Sequence, residues 1–185
     1  GAGTGALSRA IRPLVNHVEA CDIDEDVLKE AKRLADEENL DITFFKHDMN
    51  SPLLRTYDCI LAVLDVFNHA KDFEMFTRAF NHALQALENG GRLIFDVLRC
   101  DYVKQFKNFA ETVDTDKGKV QWEAELGETP CTVEHTLTFE GKRATLIERS
   151  YPEKEIRKLF KKRRDLQVVV REVFDDRILY IIKKD

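Results

Sequence analysis

From residue 6 to residue 98 the apolar pattern alternates between helical and strand periodicity, and that alternation narrows the fold more than any other feature of the chain. Residues 6–15 read as a helix and 17–23 as a short apolar strand ending at an acid. Residues 24–38 carry Val27, Leu28, Ala31, Leu34 and Ala35 on one helical face, with Asp24 placed to cap it. Residues 41–46 form the next strand, followed by Asp48, and 57–64 a continuous apolar one. The amphipathic helix predicted over 73–87 is expected to stop at Asn89-Gly90-Gly91, ahead of a buried strand at 92–98. Strands separated by helices pair in parallel through right-handed crossovers, so this half predicts an α/β fold.

The second half changes character. Residues 119–126, 131–139 and 143–149 are strand-like with no helix between them, and Glu140-Gly141 marks a hairpin turn. This part is expected to be antiparallel. A short helix at 152–162 starts near Pro152, and two β-rich runs, 167–174 and 177–183, meet at Asp175-Asp176 in a closing hairpin. The expected architecture is a parallel core, an antiparallel insertion and a terminal hairpin within one domain, residues 1–185.

A net charge of −5 argues against strong non-specific nucleic-acid binding. The basic run Lys161-Lys162-Arg163-Arg164 follows a helical stretch and reads as a solvated helix end, which leaves an RNA substrate disfavoured but open. No apolar run is long enough to cross a bilayer and no signal peptide opens the chain, so the cytoplasm is the expected compartment. The cysteines Cys21, Cys59, Cys100 and Cys131 show no C-x-x-C spacing. Neither a metal site nor a disulfide framework is expected, and they read as buried thiols.

The chain opens Gly1-Ala2-Gly3-Thr4-Gly5 and runs into a helix. Glycines permit positive φ and close approach of a ligand to the backbone, and such a loop offers amides to an anion. Asp22 ends the following strand, where a carboxylate can accept from both hydroxyls of a ribose. Asp48 ends the strand after that, where it can accept from an adenine amine. In a doubly wound sheet these three strand ends line one crevice.

These segments resemble the class I S-adenosylmethionine-dependent methyltransferases. Gly1-Ala2-Gly3-Thr4-Gly5 looks like their glycine motif, Ala20-Cys21-Asp22-Ile23-Asp24 their second-strand motif, and Lys46-His47-Asp48-Met49 their third-strand acid motif. Tyr57-Asp58-Cys59-Ile60 resembles the fourth strand, and Leu87-Glu88-Asn89-Gly90-Gly91-Arg92-Leu93 the turn into the fifth. The resemblance implies a seven-stranded, doubly wound sheet of order 3-2-1-4-5-7-6 with an antiparallel last strand. It also implies an antiparallel insertion over about residues 102–149, as in small bacterial members. Gly1, Ala2, Gly3 and Gly5 would pass under the methionine part of S-adenosylmethionine, and Asp22 would bind ribose. Ile23 would pack on adenine with Asp48 and Met49 at its edge, and Val63 would lie near the methionine part. The family's first strand precedes the glycine loop, and a sheet without it would leave two unpaired edges, so a segment is expected ahead of Gly1.

A sulfonium is already a strong methyl donor, so alignment and water exclusion matter more than a general base. Asp65 and His69, four residues apart after the fourth strand, would share a face of a helical turn and are the candidates for a catalytic role, although a helix cap for Asp65 and a packed or solvated His69 is the expected use of the two. His135, with Glu134 and Glu148, falls on the insertion, where a solvated sheet face is the expected use of these charges and a substrate role the alternative. The implied function is methyl transfer to an acceptor, a small molecule before any other class, that these residues do not identify; they say nothing of oligomeric state. Two other functions fit the same residues. Gly1 to Ala6 also satisfies the dinucleotide pattern and Asp22 would serve NAD, which describes an oxidoreductase. A methyltransferase-like partner subunit without activity would be expected to lose some of Gly3, Gly5, Asp22 and Asp48, and all four are present.

Overall fold

Parallel strands need a crossover between them, and the first fifty residues supply one. The computed structural model describes Gly1–Asp185, which divides into two compact units, Gly1–Pro52 and Leu53–Asp185. In the first unit α1 (Ala6–Ile11) and a 3-10 turn (Arg12–Leu14) lead to β1 (Glu19–Asp22), α2 (Glu25–Glu37) and β2 (Thr43–Lys46). β1 and β2 pair in parallel, Ala20 opposite Phe44 and Asp22 opposite Lys46. α2 starts where it does because the Asp24 carboxylate accepts from the amides of Asp26 and Val27. Its buried stripe of Leu28, Ala31 and Ala35 faces inward, and Val18, Ala20, Ala35 and Ile42 form a small core.

The second unit is built on β3 (Tyr57–Ala62), α3 (Phe73–Gln85), β4 (Leu87–Leu98), β9 (Leu166–Val173) and β10 (Arg177–Lys184), with α4 (Glu153–Lys158) before β9. The sheet order is β3-β4-β10-β9, with β3 parallel to β4 and β10 antiparallel to both its neighbours. Its core is aromatic. Phe95 stacks on Tyr180 at 4.8 Å, and Phe67, Phe76 and Phe80 pack around Phe95. Between β4 and α4 a second sheet of β5 (Phe109–Thr115), β6 (Gly118–Leu126), β7 (Thr132–Phe139) and β8 (Lys142–Arg149) runs as an antiparallel meander. No helix is long and apolar enough to cross a membrane.

Three details differ from the sequence expectations. α3 ends at Gln85, and Leu87, only 1% exposed, is already in β4, so Asn89-Gly90-Gly91 is a kink inside a strand rather than a helix stop. The ladder to β3 shifts register there, and Gly90 has φ +80°. Gly91 is wedged against backbone: a Cβ would come within 2.9 Å of the Glu88 carbonyl and 3.1 Å of that of Tyr57. Gly91→Ala is therefore expected to cost about 2 kcal/mol by overpacking, read as a lower urea midpoint at unchanged slope. β5 was not foreseen, because it is a polar strand with every residue but Phe109 exposed. The cysteines are not buried thiols: Cys59 is exposed and Cys21 half-buried, while Cys100 and Cys131 form a disulfide across 31 residues that ties the end of β4 to the start of β7. Spacing in sequence gives no sign of a pairing set by the fold.

Candidate functional site

In the first unit the glycine bend and the first acid meet. The amide of Gly3 donates to Oδ2 of Asp22 at 2.8 Å, and the amide of Asp24 donates to Oδ1 at 3.2 Å. The carboxylate is thus held by its two oxygens in one orientation, with lone pairs remaining for further donors. Partial burial works to raise its pKa, but these backbone hydrogen bonds outweigh it and hold Asp22 below the usual carboxylate range. Gly3 and Gly5 differ in purpose. Gly3, at φ +54°, has nothing within 4 Å of the position a Cβ would take, so that side of the bend is open. Gly5, at φ +75°, sits where a Cβ would press on Ala31 at 3.2 Å and Phe44 at 3.3 Å, and it lets the start of α1 pack on α2 and β2.

Ile23 follows Asp22 directly and is 60% exposed, an apolar face beside an oriented carboxylate. Asp48 lies just past the end of β2, the neighbour of β1, and its Oδ1 accepts from the amide and side chain of Asn50 at 2.8 and 3.0 Å. It therefore also shapes its own turn. Met49 next to it is half-buried. An adenosyl group is compatible with what the structure presents here: an open glycine backbone, a carboxylate fixed by two amides with lone pairs to spare, and an exposed aliphatic side chain.

In the second unit Val63, half-buried, follows β3 and leads into two consecutive left-handed residues, Leu64 at φ 64° and Asp65 at φ 68°. Asp96 on β4, 5% exposed, holds that bend by accepting from both amides at 3.0 Å. The Asp65 carboxylate forms a two-pronged pair with Arg177 at 2.7 and 2.8 Å. Burial pushes Asp65 above the usual carboxylate range, with Arg177 opposing. Asp65 precedes the 3-10 turn Val66–His69 rather than standing on it, so it does not share a helical face with His69, which is exposed. Asn68, fully buried, donates to the Arg149 carbonyl at 2.9 Å and accepts from the Leu98 amide at 3.1 Å, joining this turn to β8 and β4.

The insertion also departs from expectation. His135 is only 5% exposed instead of lying on a solvated face. Its Nδ1 accepts from the Trp122 indole at 3.1 Å, and its Nε2 lies 3.5 Å from Glu148. A cavity of about 730 Å3 opens between the ends of β4 and β10 and the β6–β7 loop, walled by Leu98, Val103, Leu126, Pro130, Tyr151 and Ile178. Asp96, Asn68, Arg177 and Trp122 were missed from sequence. Only Asp96 left a signal, as a charge inside the apolar run Leu93–Leu98.

Residues 1–91 match a family model described as a methyltransferase domain. A curated protein of Geobacillus sp. strain WCH70, named as a methyltransferase, is 26% identical over 143 residues, which is 75% of this chain. The chain spans 57% of that relative's length. A solved S-adenosylmethionine-dependent methyltransferase from Clostridium acetobutylicum is 25% identical, with a TM-score of 0.83 over 99% of this chain and 81% of its own. CalS10, an amino pentose methyltransferase from Micromonospora echinaspora solved with S-adenosylmethionine bound, shares the fold at a TM-score of 0.78 and 15% identity, over 100% of this chain and 81% of its own. Over its first 91 residues the chain is similar to a methyltransferase domain, and along nearly its whole length its mixed α/β scaffold is similar to that of a solved S-adenosylmethionine-dependent methyltransferase.

Proposed function

We propose that residues 1–185 form one methyltransferase domain that transfers the methyl group of S-adenosylmethionine to a small-molecule acceptor. The observation that carries the cofactor reading is Asp22, both of whose oxygens are preset by backbone amides beside the exposed side chain of Ile23. When bound, the cofactor supplies a sulfonium methyl. Gly3 offers it open backbone in the bend that Gly1, Ala2 and Gly5 complete, Asp22 accepts from its ribose, and Ile23, Asp48 and Met49 frame its adenine. Val63 takes the role near the methionine part that the family resemblance implies. Asp65 is committed to Arg177, which makes it an organiser of the bend after β3 rather than a free base. We read β1 and β2 as strands two and three of the family order 3-2-1-4-5-7-6, and β3-β4-β10-β9 as its 4-5-7-6 run. A small-molecule acceptor follows the amino pentose named for CalS10. The insertion and the cavity of about 730 Å3 are of a size to receive such a ligand.

Calorimetric and thermal-shift titration with S-adenosylhomocysteine and with NAD tests the reading. Stabilisation of about 2.7 kcal/mol is expected at 100 times Kd of S-adenosylhomocysteine, with none from NAD. Stabilisation by NAD alone would replace methyl transfer with hydride transfer.

A further inference from the structure

We propose that Glu148 is the residue that takes the proton of an amine acceptor, with His135, locked by Trp122, as the positioning residue behind it; this rests on the methyl-transfer reading above. An indole N–H can only donate, so His135 Nδ1, 3.1 Å from Trp122 Nε1, is the unprotonated nitrogen of the ring. The ring proton then sits on Nε2, the atom that faces Glu148 Oε2 at 3.5 Å. That separation is long for a hydrogen bond and leaves the carboxylate free to engage another donor. The imidazole cannot turn away, because it is 5% exposed and packed edge-on against Phe106 with ring centres 5.1 Å apart. Glu148 stands opposite Val133 in the β7–β8 ladder, so it shares a sheet face with His135 two residues along.

Charge balance singles out Glu148. The negative charge on Asp65 is matched by Arg177, which also reaches Asp96 at 3.6 Å. Glu148 adds its negative charge to the surroundings of Asp65, and the one group within ion-pair distance of it, the His135 ring, carries no charge in this tautomer. Its side chain is 15% exposed, enclosed but reachable. An ammonium supplies both the cation and the proton this carboxylate lacks. The proton passes to a Glu148 oxygen, the N–H bond breaks with its electron pair left on nitrogen, and an O–H bond forms, which leaves the neutral amine needed for attack on a methyl group. His135 presents its Nε2–H toward the carboxylate and touches no substrate.

Side-chain 15N NMR of His135 in the full chain tests this, with methylammonium chloride as probe and sodium chloride and methanol as controls. The wild type is expected to show the Nε2–H tautomer and a saturable shift of that resonance with methylammonium but with neither control. Glu148→Gln loses the response, Glu148→Asp keeps a weaker one, and Trp122→Phe mixes the tautomers and weakens it. An Nδ1–H tautomer in the wild type, no saturable shift, or a shift that survives Glu148→Gln overturns the proposal. S-adenosylhomocysteine binding, measured on the same samples, separates the two levels. Binding intact with no methylammonium response defeats this inference alone, whereas no binding by the wild type defeats the methyl-transfer reading.

Discussion

Asp22→Ala is expected to weaken S-adenosylhomocysteine binding by about 100-fold, or roughly 3 kcal/mol, when measured by titration calorimetry. Hydrogen bonds to a charged acceptor contribute about 1.5–3 kcal/mol each, and the ribose role gives this carboxylate two of them. The substitution also releases the amides of Gly3 and Asp24, so part of the loss is disorder in the glycine bend itself. Asp22→Asn separates the contributions, since an amide oxygen can keep one backbone bond while the charge is gone. The depressed pKa of Asp22 sets the sign of its pH dependence. Its stabilising effect is complete above the ordinary carboxylate value near 4 and fades as pH falls through the lower folded-state value. Affinity is accordingly expected to be flat from pH 8 to about 5 as far as this group is concerned. Unchanged affinity in the Ala variant would refute the ribose assignment.

Asp96→Ala carries the other large effect, a loss of about 3 kcal/mol of stability in urea unfolding. The two amides it accepts from belong to Leu64 and Asp65, both left-handed residues whose backbone strain is of order 1–3 kcal/mol each. Without Asp96 both amides lose their acceptor and the bend is left to the Asp65–Arg177 pair, while Arg177 keeps Asp65 and Asp176 as partners but loses a buried counter-charge. Asp96→Asn should fall between wild type and Ala because one acceptor survives. A change within about 0.5 kcal/mol, the ordinary range for inert surface sites, would show that the bend is held by something else.

Much of the scaffold could be read before any coordinates. The alternation of helix and strand, the cap at Asp24, the hairpins at Glu140-Gly141 and Asp175-Asp176 and the antiparallel character of the insertion all follow from patterns repeating within a few residues. The end of α3 was misplaced because the burial of Leu87, a tertiary fact, outweighed the local stop signal of two glycines. The polar strand β5 escaped because its register is dictated by β6 and not by its own side chains.

The site divides along the same line. Sequence determined the glycine bend and the strand-end position of Asp22, since the bend and that strand are near neighbours along the chain and their spacing is local chemistry. Only the folded chain decided that Asp65 belongs to Arg177, 112 residues away, that Asn68 reaches Arg149, 81 residues on, and that His135 is buried between Trp122 and Glu148. The physical reason is range: backbone preference and side-chain periodicity act over one or two turns. An ion pair or a buried hydrogen bond depends on which distant segments the fold brings into contact, and nothing in either segment alone records the other.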